Sequence, residues 1–204
     1  MPKLWDATID EHRRTVEAAI LDAAAAVIAE QGLATVTMSS IAQRAGIGRA
    51  TLYKYFGDVD AIVTAWHERQ VAEHLRQLEQ AAATVGDPDE RLQVVLRAYA
   101  ELSGGPHDHG GPPAPGMLVA LHGGAHVREA LQRLRALIAE VIAAASATGA
   151  VRDDFPTAEM ADYCLHALAA ARVQHSSAAR DRLVTLILDG LRPTTGGAPR
   201  TAEG

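Results

Sequence analysis

Three cations and a set of hydroxyl groups stand close together in residues 31–57. The cations are Arg44, Arg49 and Lys54, and no aspartate or glutamate falls within this segment. Guanidinium and ammonium groups bind phosphate oxygens through charge-assisted hydrogen bonds, and hydroxyl groups add further donors to such contacts. The hydroxyl-bearing candidates are Thr37, Ser39, Thr51, Tyr53 and Tyr55. The segment therefore predicts a local site for a phosphate backbone.

Apolar residues in the same segment are spaced for two short helices joined by a tight turn. The inward positions are Ile41 and Ala45 on the first helix and Ile47, Leu52 and Tyr55 on the second. Ala42 is small enough for the second helix to cross closely, and Gly46 can adopt the left-handed conformation that turns the chain. This spacing is typical of a helix-turn-helix, whose second helix lies in the major groove of DNA.

Arg49 is the candidate for reading bases, because it stands at the exposed start of the second helix. Its guanidinium can bind O6 and N7 of guanine with two hydrogen bonds. The alternative is a helical hairpin whose tyrosines are partly core and whose cations are simply solvated. A helical interaction module without DNA activity also remains open, and it would leave the acid-free basic segment unexplained.

Histidines offer a second candidate site, in the central part of the chain. They are His107, His109, His122 and His126. Imidazole binds zinc and related ions, so the alternative function is a metal sensor or a metal-assisted hydrolase that uses Asp108 or Asp153. Gly123 and Gly124 weaken any helix that would align the last two histidines. No nucleophile motif, phosphate-binding glycine loop or HExxH occurs. We therefore expect no metal, no cofactor and no enzyme activity.

Composition favours an all-α protein. The 204 residues carry 19 Lys and Arg against 25 Asp and Glu, a net charge of −6, so the basic segment is a local feature. Alanine is abundant and aromatic residues make up 4%, a balance that favours helices over strands. The single cysteine, Cys164, allows neither an internal disulfide nor a cysteine-based zinc site. Because no signal sequence or 18-residue apolar run is found, we expect a cytoplasmic location without membrane contact.

Periodicity and Gly/Pro breaks predict the organisation of the chain. Residues 1–12 lack a sustained period and are predicted to form a flexible arm, followed by the helix-turn-helix domain over 13–57. Residues 58–192 show apolar positions at helical spacing, interrupted by a Gly/Pro-rich loop at 104–116. Residues 193–204 are rich in Pro, Thr and Gly and are predicted to be disordered.

A continuous string in the N-terminal third carries a family resemblance. EQGLATVTMSSIAQRAGIGRATLYKYFGDVDAIV combines a Thr-capped helix, a RAGI turn and a helix that ends in TLYKYF. In these motifs, and over residues 13–66, the chain resembles the TetR family of bacterial transcriptional regulators. The resemblance implies a homodimeric repressor that binds a pseudo-palindromic DNA operator and is released by a small-molecule effector. It implies that the C-terminal helices form the ligand-binding and dimerisation domain, joined to the first domain by a long helix.

The resemblance also assigns roles by position. Base-reading roles fall on Arg49, Ala50, Thr51 and Tyr53, and phosphate contacts fall on Thr37, Ser39, Lys54 and Tyr55. Leu52 and Phe56 are expected to be structural. Two positions depart from the family pattern. Gly48 stands where Ser or Thr is usual, which weakens the cap of the recognition helix. Asp58-Val59-Asp60 replaces a frequent lysine, which puts one phosphate contact in doubt.

The C-terminal helices yield two further sets of candidates. Apolar faces there can enclose an effector pocket, for which the candidate lining residues are Trp66, Tyr99, Met117, His122, His126, Tyr163 and His166. The alternative is that most of them are plain core. The resemblance places the dimer interface on the last two helices, with the candidates Leu165, Ala167, Leu168, Ala171, Leu183, Ile187 and Leu191. Packing of these residues within one chain is the alternative.

Overall fold

The computed structural model describes residues 3–104 and 125–193, with side chains from residue 10 onward. All regular structure in these ranges is helical, which confirms the predicted all-α class. The eight α-helices are α1 (Lys3–Gln31), α2 (Met38–Ala45), α3 (Arg49–Tyr55), α4 (Val59–Ala83), α5 (Pro88–Gly104), α6 (Ala125–Ala147), α7 (Thr157–Leu168) and α8 (Ser177–Leu191). Short 3-10 turns cover Leu33–Thr35 and Ala169–Val173.

Helix α1 begins at Lys3, which corrects the prediction of an irregular arm over residues 1–12. The prediction relied on an apolar stripe, but a nucleated helix gains one hydrogen bond for each residue added and needs no such stripe to extend. Polar contacts are described where this segment continues into the rest of α1. The Arg13 guanidinium donates to the Glu17 carboxylate at 2.9 Å, and the Thr15 hydroxyl donates to the Glu11 carbonyl at 2.9 Å.

The first of two cores joins α1, α2, α3 and the start of α4. Its largest fully buried side chains are Ile20, Ile28, Ile41, Leu52 and Ile62. Helices α2 and α3 have 8 and 7 residues, well below the length at which an isolated helix is stable in water. Burial of each large aliphatic side chain stabilises the fold by about 1.5–3 kcal/mol. Packing on α1 and α4 therefore holds the two short helices in place.

The second core joins the end of α4 with α5, α6, α7 and α8. Its largest buried side chains are Leu78, Leu92, Leu96, Ile138, Ile142, Leu168 and Ile187. Buried alanines such as Ala100 and Ala161 allow the helices to approach closely. At the surface, Arg135 of α6 donates to both carboxylate oxygens of Asp162 on α7, at 2.5 and 2.7 Å.

The chain divides into two compact units, and the divisions fall inside α4 and near the start of α6. Among the described residues, the first unit takes in those up to Glu73 together with 125–129, and the second takes in 74–104 and 130–193. We predict the domain boundary at 57/58, but Ile62 and Val63 of α4 are buried in the first core, so the first turns of this helix belong to it. Most of the loop predicted at 104–116 and the tail from 194 lie outside the described residues. Among the described helices, none is long and apolar enough to cross a bilayer.

Candidate nucleic-acid interface

A capping box fixes the N-terminus of α2. The Ser40 backbone N–H donates to Thr37 Oγ1 at 3.1 Å, and the Thr37 backbone N–H donates to Ser40 Oγ at 3.0 Å. This confirms the predicted cap at Thr37. Thr37 and Ser39 stay exposed at this end of the helix, where the helix dipole favours an anion. The Thr37 hydroxyl donates to Ser40 Oγ at 3.1 Å and would have to give up this bond to reach a phosphate, whereas the exposed Ser39 hydroxyl can donate to one directly.

The turn between α2 and α3 depends on Gly46. Its φ of 68° and ψ of 26° are left-handed, and its N–H donates back to the carbonyls of Ala42 and Gln43. The N–H of Ile47 donates to the Ala42 carbonyl at 3.1 Å, which closes the end of α2. Ala42 is 2% exposed, as the close crossing of the two helices requires. The helix-turn-helix predicted from the sequence is thus formed.

Helix α3 presents a polar face to solvent and anchors itself with one side chain. Leu52 is completely buried in the first core. The exposed residues of α3 are Arg49, Ala50, Thr51, Tyr53 and Lys54. Tyr53 is 48% exposed, whereas Tyr55 packs partly against the first core. The side chains that could bind nucleobases or phosphates are therefore exposed, while Leu52 holds their helix in the first core.

Gly48 provides no side-chain cap for α3, as its identity predicts. Its carbonyl still accepts from the N–H groups of Thr51 and Leu52, at 2.9 and 3.0 Å. At the other end, the Phe56 N–H donates to the Leu52 carbonyl at 3.0 Å. The backbone therefore closes both ends of α3 without a polar side chain at the first position.

Arg44 lies in a different environment from the other two cations of the segment. Its guanidinium forms an ion pair with the Glu30 carboxylate, in the last turn of α1. The hydrogen bond that Arg44 donates to the Glu30 carboxylate, and then the negative charge of that carboxylate, raise the pKa of Arg44. Sequence reasoning missed this pair, because Glu30 lies just outside the acid-free segment. Arg49 and Lys54 have no carboxylate within ion-pair distance among the described residues.

The acidic start of α4 has a structural reason. Asp58 Oδ1 accepts from the N–H of Ala61 at 2.7 Å, so this carboxylate caps the helix. Further along, Arg69 donates to Asp22 of α1 at 2.7 Å and to the Ala18 carbonyl at 3.5 Å. The first part of α4 is thereby tied to α1 within the first unit.

The candidate pocket residues do not converge on one described cavity. Trp66 packs partly against the first core and Tyr99 partly against the second. His126 and His166 are exposed, and the His166 ring Nδ1 lies 2.7 Å from the Asp162 carbonyl. Met117 and His122 lie outside the described residues. The predicted pocket stays a prediction.

Tyr163 instead lines an open cleft of about 370 Å³ within the second unit. The other lining residues are Arg152, Phe155, Glu159, Met160, Gly190 and Leu191. The Arg152 guanidinium lies 4.5 Å from the centre of the Phe155 ring and donates to Asp154 at 2.6 Å. Gly190 lets Tyr163 lie across α8, since a Cβ there would stand 2.9 Å from the tyrosine hydroxyl oxygen.

Four of the candidate dimer residues belong to the core of their own chain. Leu168, Ala171, Ile187 and Leu191 are at most 2% exposed and pack in the second core. Their assignment to a dimer surface is corrected, because helical spacing identifies an apolar stripe but not the neighbour that covers it. The remaining three, Leu165, Ala167 and Leu183, are only partly buried.

The histidine cluster lies mostly outside the described residues, which include neither His107, His109 nor His122. Within the described ranges, no three His, Cys, Asp or Glu side chains are grouped as metal ligands. Cys164 is buried in the second core, and this burial raises the pKa of its thiol to about 12. A thiolate nucleophile or ligand is therefore disfavoured at this position.

Two family models match the chain. Residues 20–65 match the model of bacterial regulatory proteins of the tetR family, which spans the helix-turn-helix. Residues 87–193 match the C-terminal domain of SbtR-like transcriptional regulators and make up more than half of the chain.

Curated relatives match over the N-terminal part. An uncharacterized HTH-type transcriptional regulator of Mycobacterium tuberculosis is 42% identical over 86 residues, which are 41% of this chain and 43% of the relative. The regulator BetI of Paraburkholderia phytofirmans is 37% identical over 113 residues, 52% of this chain and 53% of the relative. The matches thus span about half the length of these relatives.

Solved structures extend the similarity to most of the fold. A TetR/AcrR-family regulator from Thermobifida fusca superposes with a TM-score of 0.72 at 20% identity, covering 86% of this chain and 98% of that one. FadR from Bacillus subtilis gives a TM-score of 0.64 at 17% identity, covering 85% and 98%. With its helix-turn-helix and its matching C-terminal half, the chain belongs to the TetR family of bacterial transcriptional regulators.

Proposed function

We propose that this protein is a repressor that binds a pseudo-palindromic DNA operator as a homodimer and leaves it when a small-molecule effector binds. The observation that carries the proposal is the outward face of α3. Arg49, Thr51 and Lys54 are exposed there, while Leu52 of the same helix is fully buried. A short helix held in this way can enter a major groove without losing its own packing.

Each exposed side chain of α3 has a chemistry suited to DNA. Arg49 can donate two hydrogen bonds to O6 and N7 of guanine. Ala50 and the methyl group of Thr51 can contact a thymine methyl group. Lys54 can bind a phosphate, and the hydroxyl groups of Thr37 and Ser39 can do so from the start of α2. Reading bases and positioning on the backbone are thus supported by different residues.

The experiment is a selection of genomic fragments by the purified protein, followed by titration of the best fragment at two salt concentrations. Arg49→Ala is expected to weaken binding by about 1–3 kcal/mol at each half-site and to relax base preference. Arg97→Ala, an exposed arginine of α5, is the matched control and is expected to bind as the native protein does. Equal affinity of Arg49→Ala and native protein for the selected fragment would contradict the assignment.

Helix α8 supports the homodimer. Its inner face, Val184, Ile187 and Leu191, is buried in the second core. Its outer face carries Leu183, which is partly buried, and Leu186, which is 67% exposed. A two-fold axis brings the same surface of both copies together, so an exposed leucine on this helix suits contact with the same helix of a second copy.

The effector part of the proposal is supported by structural neighbours of low identity. Among these neighbours, FadR from Bacillus subtilis has been solved in complex with stearoyl-CoA, and RolR in complex with resorcinol. We propose that a small molecule binds the C-terminal unit of this chain and favours a conformation with lower operator affinity. Mass spectrometry of ligand extracted from the purified protein identifies a candidate. If operator affinity is the same with and without that ligand, this part of the proposal fails, because such a ligand shifts no equilibrium.

A further inference from the structure

The ion pair between Arg44 and Glu30 joins two helices of the DNA-binding unit. Arg44 lies in the last turn of α2, and Glu30 lies in the last turn of α1, fourteen residues earlier. Both side chains are partly exposed, at 39% and 53%. The pair therefore bridges the two helices at the surface, while Ile28 and Ile41 of the same two helices are buried in the first core.

The orientation of α3 follows that of α2. The Gly46 turn closes onto the carbonyls of Ala42 and Gln43, and the Ile47 N–H also donates to Ala42. Leu52 is then fixed in the same core as Ile41. A contact that sets α2 against α1 thus also sets the outward face of α3. Arg44 lies two residues before Gly46, next to the turn through which the orientation of α2 determines that of α3.

We infer that Arg44 is a positioning residue for DNA recognition: through Glu30 it holds α2, and with it α3, in the orientation that fits the operator. The inference rests on the proposed DNA-binding function. It replaces the phosphate contact that the sequence predicts for Arg44 and gives Glu30 a role in recognition. Arg49 and Lys54, which have no carboxylate partner among the described residues, carry the direct contacts.

The two roles of Arg44 predict opposite effects of neutralising Glu30. If Arg44 binds phosphate, Glu30→Gln removes a competing carboxylate and a negative charge, so operator affinity rises. If Arg44 positions α2, Glu30→Gln lowers affinity as Arg44→Gln does, by about two- to fivefold, the range for an exposed ion pair. The exchanged pair, Glu30→Arg with Arg44→Glu, is then expected to restore affinity to within about twofold of native.

The salt dependence of operator binding gives a second readout. Each phosphate contact contributes about 0.9 to the slope of log affinity against log salt concentration. Arg44→Gln is expected to leave this slope unchanged, whereas Lys54→Gln, the matched control, is expected to reduce it. Circular dichroism and melting temperature establish that each variant is folded. If Arg44→Gln does not fold, the operator affinities of Glu30→Gln and of the exchanged pair still distinguish the positioning role from a phosphate contact.

Three results would overturn the inference while leaving the proposed function intact: higher affinity of Glu30→Gln, native affinity of all three variants, or no recovery in the exchanged pair. Failure of the proposed function looks different. In that case the native protein itself enriches no DNA fragment above non-specific binding, before any variant is compared.

Discussion

A single residue at the turn between α2 and α3 carries a conformation that most residues avoid. Gly46 has a φ of 68°, and nothing lies within 4 Å of the position that a Cβ would take. A side chain would thus meet backbone strain but no clash. Gly46→Ala is expected to lower the free energy of unfolding by about 1–2 kcal/mol. Chemical denaturation measures this loss.

Gly57 is the matched control, because a Cβ there would also meet nothing within 4 Å and its φ is not positive. Gly57→Ala is expected to leave the free energy of unfolding unchanged or to raise it by about 0.4–1 kcal/mol, since alanine restricts the unfolded chain. Equal losses at both glycines would show that strain at Gly46 is not the cause.

The structural roles that the sequence predicted correctly involve partners a few residues away in the chain. The Thr37 cap involves Ser40, three residues away, and the Gly46 turn involves Ala42 and Gln43. Local rules for caps and turns cover such contacts. The partner of Arg44 is fourteen residues away on another helix, and no local pattern points to it. The distinction between a phosphate contact and an ion pair needed the packing of α1 on α2.

Between elements, Arg180 fastens the start of α8 to the end of α5. Its side chain donates to the Glu101 carboxylate at 2.6 Å and to the carbonyls of Gly104 and Gln174 at 3.3 and 3.2 Å. Ser177 donates to the other carboxylate oxygen of Glu101 at 2.7 Å. Gly104 leaves room for this arrangement, since a Cβ there would lie 2.4 Å from Arg180 Cδ.

This contact makes stability depend on pH. The hydrogen bond from Arg180, then that from Ser177, lowers the pKa of Glu101 below its ordinary value of 4.5. A carboxyl with a lower pKa in the folded state stabilises the fold above its unfolded pKa, and this contribution is lost as pH falls through the folded value. Relative to native protein, Glu101→Gln is expected to unfold more easily at neutral pH, with a difference that shrinks below about pH 4.5.

Thermal unfolding across this pH range checks the expectation. Arg180→Met keeps the aliphatic stem beside Gly104 but removes the donors, so it is expected to lose the same pH-dependent contribution. In the double variant, Glu101→Gln should then add little to Arg180→Met. A difference between native protein and Glu101→Gln that stays constant from neutral pH to acid would contradict the role of the carboxylate.

The helices could be predicted from the sequence, but the neighbours that pack against each helix face could not. The spacing of Ile187 and Leu191 predicts an apolar face on α8, and that face exists. The helix carries a second apolar face, with Leu183 and Leu186, and periodicity alone cannot say which of the two meets its own chain. Residues 1–12 show the opposite problem, because their apolar residues keep no helical period although α1 begins at Lys3. For α8, the packing of the chain supplies the distinction that the pattern lacks.

At the scale of the whole molecule, the net charge and the proposed two-fold dimer bear on the same interface. The chain has a net charge of −6, so the proposed attraction to DNA relies on the basic segment that holds Arg49 and Lys54. One short helix gives few base contacts. A two-fold dimer presents two such helices to half-sites one DNA turn apart, about 34–36 Å, and so doubles the phosphate and base contacts. Operator affinity is therefore expected to depend on the outer face of α8.

Leu186→Glu tests this dependence. A carboxylate in the centre of a helix-helix seam loses its hydration without a partner, so the dimer is expected to dissociate. Because Leu186 is 67% exposed in the single chain, the variant should keep its helical content. Light scattering after gel filtration is expected to give the mass of one 21.5 kDa chain for the variant and twice that mass for native protein. Operator affinity should fall with it.

Leu131→Glu on α6 is the matched control, since Leu131 is 52% exposed and lies on a different helix. This variant is expected to stay dimeric and to bind the operator with native affinity. If Leu186→Glu remained at the dimer mass, the second copy would have to bind through another surface. If it became monomeric but kept native operator affinity, two recognition helices would not be needed, and the palindromic operator in the proposed function would fall with that result.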